Sequence, residues 1–167
     1  MMRVIKNMRE LNFGALMEVY KDNPEIYGIT DGTDRNAENS FQTQQMFYHY
    51  LREVFFRDPR AFYAVLDAER GYLAALRIEP YRDGVLIEAL ETAPEARGTG
   101  VASALLKALL VECRKLQFGK IYAHIRKDNA ISLHLHQKCG FSIISESAVL
   151  VDGSFSSEYY TLRSIVE

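Results

Sequence analysis

Three groups of residues have types and spacings suited to chemistry. The first is the loop Pro94-Glu95-Ala96-Arg97-Gly98-Thr99-Gly100-Val101-Ala102, between an apolar run ending at Thr92 and a long amphipathic run beginning at Val101. Gly98 and Gly100 let the backbone turn sharply with its N–H groups converging, and the following helix adds the positive end of its dipole. Such a nest can hold a pyrophosphate, with Arg97 as a charge-assisted partner. On the glycines alone, an ordinary helix start fits as well. A dinucleotide site asks for a third glycine where Ser103 stands, and a Walker-type loop asks for Gly-Lys-Ser/Thr, which is absent.

The second group is Asn129, Ser132 and His136, which fall at i, i+3 and i+7 on one face of a short helix. His134 points about 200° away from Ser132 around that helix and is expected at the surface. The third group lies on strands. Tyr122, His124 and Arg126 share one face of the run Lys120 to Arg126, while Ile121, Ala123 and Ile125 take the other. Glu88 and Glu91 are three residues apart, so strict alternation sends them to opposite faces. A histidine with a reference pKa near 6.5 suits proton transfer, although a half-buried, hydrogen-bonded histidine and solvated carboxylates explain the same residues. The histidines have no Cys or carboxylate partner at ligand spacing, so no metal site is expected.

The elements that must position these groups follow from periodicity. Residues 2–6 read as a strand and 9–20 as a helix. Residues 21–39, rich in Asn, Asp and Thr with Asn-Pro and Asp-Gly turns, read as a mobile loop. Residues 40–56 read as a second helix that stops before Asp58-Pro59. Strands are expected over 61–66, 72–78 and 85–92, a long helix from Val101 to Leu116, a strand over 120–126 and a short helix over 130–139. Two further strands are expected at about 141–151 and 158–166. The strand-helix-strand unit from 85 to 126 requires parallel strands with a right-handed crossover, so the class is mixed α/β.

The 167 residues are 48% hydrophobic and 25% charged, the balance of one globular domain spanning 1–167. A net charge of −2 supplies no positive field for a nucleic-acid backbone, so no nucleic-acid partner is expected. No apolar run reaches signal-peptide or membrane-span length, and Cys113 and Cys139 are too few for a disulfide framework. These features favour a cytoplasmic protein without a membrane partner.

The segment from Leu86 to Ala102 resembles motif A of the GNAT superfamily of N-acetyltransferases, whose core is Arg/Gln-x-x-Gly-x-Gly/Ala. Arg97, Gly100 and Ala102 match it. The segment from Asn129 to Phe141 resembles motif B, where an Asn begins a helix and Gly-Phe ends it. The resemblance implies a GNAT-like fold: a mostly antiparallel sheet of six to seven strands, one parallel pair that splays apart, and about four helices. It further implies acetyl-CoA as cosubstrate, with the backbone of Leu90, Glu91 and Thr92 pairing with the pantetheine arm. Arg97, Gly98, Thr99, Gly100, Val101 and Ala102 would hold the diphosphate, and Asn129 the pantetheine, with Ser132 in the same cleft.

By the same resemblance Glu88 occupies the place of a catalytic glutamate in polyamine-acetylating members. His124 occupies a position related to the base of ribosomal-protein acetyltransferases. His136 replaces a tyrosine that protonates the coenzyme sulfur. That departure exchanges a phenol of reference pKa about 10 for an imidazole near 6.5, whose neutral form still has one N–H to donate. The implied reaction is acetyl transfer to a primary amine, of a small molecule in the leading reading, by direct attack through a tetrahedral intermediate. A protein N-terminal or lysine acetyltransferase and a non-catalytic acyl-CoA sensor remain open, as does a homodimer. In the family the acceptor pocket is lined by residues equivalent to about 20–56, which carry Tyr20, Tyr27, Asp31, Asp34, Phe41, Phe47, Tyr48 and Tyr50. Acidic and aromatic groups suit a cationic amine, although aromatics at helical spacing are more often core.

Overall fold

The computed structural model describes residues 1–23 and 37–166. Its strands are β1 (Met2–Ile5), β2 (Phe62–Asp67), β3 (Tyr72–Tyr81), β4 (Gly84–Thr92), β5 (Lys120–Arg126), β6 (Ser142–Ser145), β7 (Ala148–Val149), β8 (Phe155–Ser156) and β9 (Tyr159–Ile165). Its helices are α1 (Phe13–Val19), α2 (Ala37–Glu53), α3 (Val101–Lys115) and α4 (Ala130–Lys138). Seven strands form one sheet in the order β1-β2-β3-β4-β5-β9-β6, and β7 pairs with β8 in a small second sheet. Every pairing is antiparallel except β4 with β5, as a crossover through α3 requires.

Alternation in the strands divides the core between the two sheet faces. On one face α3 buries Leu105, Leu106, Leu109 and Cys113 against Phe62, Leu76, Ile78, Ile87 and Ile121. On the other, Leu16, Met17 and Val19 of α1 and Leu51 of α2 pack on Ile5, Tyr63, Val65 and Ala75. Each fully buried leucine stabilises the fold by roughly 1.5–3 kcal/mol, so the leucine stripe of α3 fixes that helix beneath the sheet.

Two boundaries differ from the sequence reading for local reasons. The first helix starts at Phe13 because the Asn12 side chain caps it, accepting the Ala15 N–H at 3.0 Å. The stretch expected as one strand from 141 to 151 breaks into β6 and β7 where Ser145 Oγ accepts the Ser147 N–H at 3.2 Å. Of the expected loop 21–39, residues 37–39 belong to α2, and 24–36 lie outside the described residues.

The parallel pair positions the site. β4 and β5 pair only at Val85–Ile121, Leu86–Tyr122 and Ile87–Ala123, and β4 then runs on to Thr92 beside β3 and β5 to Arg126 beside β9 without pairing to each other. At their start the strands touch closely: a Cβ at Gly84 would overlap the carbonyl of Lys120. Beyond Ile87, Ala89 has φ 50°, in the left-handed region, and the β3–β4 register shifts between Ala75 and Arg77. Two residues, Ala89 and Leu90, thus stand opposite Leu76, which is a β-bulge that bends β4 just where it leaves β5.

The bulge also changes which way side chains point. Glu88 pairs with Arg77 and Glu91 with Ala75, two residues apart on β3 and therefore on one face. The expectation that Glu91 opposes Glu88 is corrected: both face the α1–α2 side. There Glu91 Oε1 accepts from Asn23 Nδ2 at 3.3 Å.

Candidate active site

A single 3₁₀ turn, Pro94–Ala96, leads from β4 into the glycine loop. Thr99 folds back with its hydroxyl donating to the Ala96 carbonyl at 2.6 Å. Gly98 and Gly100 have φ 74° and 84°, and a Cβ at either would meet nothing within 4 Å, so backbone conformation rather than crowding calls for glycine. Gly100 caps α3 without a side-chain hydrogen bond, and Ala104 N–H donates to the Gly100 carbonyl at 3.0 Å at the start of the helix. The N–H groups of Val101, Ala102 and Ser103 precede it and, as in any helix, have no intrahelical acceptor. Arg97 flanks the loop but turns to Asp22, with Nη1 2.8 Å from Oδ2, while its Nε reaches the Thr92 carbonyl at 3.4 Å.

A cleft of about 250 Å³ opens beside this loop, lined by Thr92, Gly98, Gly100 and Val101 on one side and by Ile131, His134, Leu135 and Lys138 of α4 on the other. His134 is exposed, as expected, yet it belongs to the cleft wall, whereas Asn129, Ser132 and His136 lie on a different face of α4. The amides without intrahelical acceptors and the open space beside the glycines fit a diphosphate, and the edge of β4 that β5 leaves open up to Thr92 fits an extended arm.

The polar face of α4 is held internally. Asn129 Oδ1 accepts the Ser132 N–H at 3.0 Å and so caps the helix. His136 is buried, with Nδ1 2.8 Å from the Ser132 carbonyl. A carbonyl cannot donate, so Nδ1 carries the proton and Nε2 presents a lone pair. Nε2 is buried without a partner among the described residues, and burial holds the imidazole below its ordinary pKa. The single N–H of neutral His136 is therefore committed to Ser132, which corrects the expectation that it is available to donate.

Across the sheet, a polar cluster occupies the face turned to α1 and α2. Arg77 donates to Glu88 Oε2 from Nη2 at 2.8 Å and from Nε at 3.1 Å, and to Glu79 Oε1 from Nε at 3.0 Å. Tyr50 of α2 donates to the same Glu79 oxygen at 3.1 Å. Burial, then the neighbouring Glu88, pushes the Glu79 carboxyl up to about 7, against the pull of Arg77. His124 of β5 shares this face. Its ring stands edge-on to Tyr81 at 5.2 Å, and its Nε2 is buried with no partner among the described residues. Burial lowers its pKa, with Glu88 opposing and Arg82 assisting.

Arg77 and Glu79 were missed in the sequence. Their signal was two opposite charges at i and i+2 within the apolar run 72–81, which alternation places side by side on one face. Of the expected acceptor-pocket aromatics, Tyr20 is fully buried and donates to the Ala89 carbonyl at 2.9 Å. Phe47 stacks with Tyr50, Tyr48 meets Phe13 edge-on, and Phe41 is exposed. Tyr27, Asp31 and Asp34 lie outside the described residues.

An uncapped helix start at the end of a diverging parallel strand, backed by a buried carboxylate cluster, is the layout of a group-transfer enzyme built to hold a phosphorylated carrier. The family model described as "Acetyltransferase (GNAT) family" matches residues 5–141, and the chain belongs to that family. It is an acyltransferase, and its cosubstrate is acetyl-CoA. Among similar proteins, a streptothricin acetyltransferase of Streptomyces lavendulae is 24% identical over 149 residues, covering 89% of this chain and 73% of the relative. The ribosomal-protein-S18-alanine N-acetyltransferase of Escherichia coli superposes with TM-score 0.66 at 14% identity, covering 100% of this chain and 95% of that one. The spermidine N-acetyltransferase of Vibrio cholerae, solved with CoA and spermine, superposes with TM-score 0.66 at 17% identity, covering 99% and 95%. Among the described residues no helix is long and apolar enough to cross a membrane.

Proposed function

We propose that this chain, as one domain in a reducing cytoplasm, acetylates a primary amine of a small cationic molecule. The observation that carries the reading is the carboxylate-rich cluster formed by Arg77, Glu79 and Glu88 beside His124, placed where β4 leaves β5. That cluster carries two carboxyls to one guanidinium, and aromatic rings stand beside it, which suits an ammonium. A relative named for streptothricin and a structural neighbour named for spermidine point to the same kind of acceptor.

The acetyl thioester supplies the electrophilic carbonyl. The loop from Arg97 to Ala102 holds the diphosphate with its N–H groups, and Leu90, Glu91 and Thr92 offer backbone to the pantetheine. Asn129 and Ser132 order the start of α4 against that arm. Glu88 receives the acceptor's ammonium and takes its proton, and neutral His124 orients the amine from β5. His136, buried with its one N–H on the Ser132 carbonyl, holds α4 in place and does not meet the coenzyme.

The test is a thiol-release assay with acetyl-CoA and polyamines, streptothricin-type antibiotics, amino acids and lysine peptides. Thiol release with the small cationic amines is expected. Release with peptides alone would replace the reading by a protein acetyltransferase, and coenzyme binding without release by any amine would make the chain a sensor.

A further inference from the structure

The carboxylate cluster contains more than one base requires. Glu88 is the more open member, its side chain 26% exposed, while Glu79 behind it is 11% exposed. Arg77 bridges them, donating to one oxygen of each. Because Arg77 is a single cation between two carboxylates, the pair carries one surplus negative charge when both are ionised. A buried surplus of that kind is relieved by a proton or by an ammonium.

We propose that Glu79 and Glu88 act as one proton-holding pair, in which Glu88 meets the acceptor's ammonium and Glu79 stores the proton behind it. The inference rests on the amine-acetylation reading above and assigns Glu79 as a positioning residue of that site.

The proton balance is complete. The ammonium gives one proton to the Glu88 carboxylate, which passes it to Glu79 and is ionised again. The freed amine lone pair forms the C–N bond, the C–S bond breaks, and the second nitrogen proton goes to the departing thiolate. Glu79 returns its proton to solvent between turnovers.

The groups that face Glu79 are consistent with storage. Tyr50 from α2 donates to it, Arg77 lies beside it on β3, Tyr63 approaches from β2 and Glu88 from β4. Tyr20, just after α1, stands against Tyr63 and Arg77, and His124 of β5 interacts with Glu88. The tyrosines are held above their ordinary pKa by burial and stay neutral, so they do not compete for the proton near neutral pH. Burial, and then the neighbouring Glu88, raises the Glu79 carboxyl to about 7, which matches the pH at which an amine base works best.

Two measurements decide it. With ¹³C-carboxyl-labelled glutamate in the intact wild-type protein, one resonance should titrate near pH 7, vanish in Glu79→Gln and move to lower pH in Glu88→Gln. In the thiol-release assay, Glu79→Gln keeps the hydrogen bonds of the side chain but cannot store a proton. It should lower kcat/KM for the amine about tenfold and remove the pH dependence near 7, with acetyl-CoA affinity unchanged. Glu79→Asp should restore part of that dependence. Superimposable pH profiles for wild type and Glu79→Gln, or a Glu79 resonance titrating in the ordinary carboxylate range, would overturn the proposal. If the wild type releases no thiol with any amine, the acetylation reading fails instead, and the carbon titration alone shows whether the pair holds a proton.

Discussion

His136 shows how one side chain can be committed by its neighbours. Its proton sits on Nδ1 against Ser132, and burial disfavours a second one. A group whose folded pKa is depressed contributes stability that is present above its unfolded value, near 6.5, and is lost as the pH falls through the folded value. Melting temperatures recorded from pH 8 to 5 should therefore fall below about pH 6.5 more steeply for wild type than for His136→Leu. Equal slopes would show that His136 is not buried as a neutral ring. At Gly100, aspartate would bring both a strained φ and a negative charge to the amide nest. Titration calorimetry with acetyl-CoA should show affinity reduced at least tenfold, a loss of about 1.4 kcal/mol.

At the scale of elements, α4 depends on the cap that Asn129 provides. Asn129→Ala should cost about 1 kcal/mol in denaturant unfolding, whereas Asn129→Asp should retain most of the cap. If Asn129 also bonds the coenzyme through its amide, Asn129→Asp will keep stability and lose affinity, which separates the two roles. The elements themselves were legible because their signals were strong. The leucine stripe of α3, the glycines at 98 and 100 and the alternation in β5 all state their geometry in residue type. The bulge in β4 was not legible: Ala89 in a left-handed conformation leaves no mark in the sequence, so alternation counted through it and placed Glu91 on the wrong face. The wall of the cleft formed by α4 was likewise hidden. Helical spacing says that Ile131 and His134 share a side with Leu135, but only the packing of α4 beside the loop makes that side face the coenzyme.

Over the whole molecule, the sheet is stabilised from both faces while the site lies along an interruption in it. Leu105, Leu106 and Leu109 beneath and Leu16 and Leu51 above are fully buried, so the scaffold does not depend on ligand. Acetyl-CoA should nonetheless raise the melting temperature, because a ligand at a hundred times its Kd stabilises the native state by about 2.7 kcal/mol. At that concentration Gly100→Asp, binding at least tenfold more weakly, should gain no more than about 1.4 kcal/mol and so shift by half as much or less. The pH dependence of stability has two opposed sources. The raised Glu79 carboxyl favours the fold below its unfolded pKa of about 4.5, and that contribution is lost as the pH rises through about 7. The buried histidines act in the reverse sense. Stability of Glu79→Gln should accordingly decline less than that of wild type between pH 5 and 8.

The absence of a side chain at Gly84 has a reach beyond its own turn. Because the backbones of Gly84 and Lys120 nearly meet, that point is the pivot of a pair of forceps whose open jaws are the ends of β4 and β5. A methyl group there would force the pivot apart and alter the aperture several residues away, at the gap where the acyl group must lie. Gly84→Ala should thus change the ratio of propionyl- to acetyl-CoA turnover without touching either donor, making the breadth of acyl choice a property set at the hinge rather than in the gap.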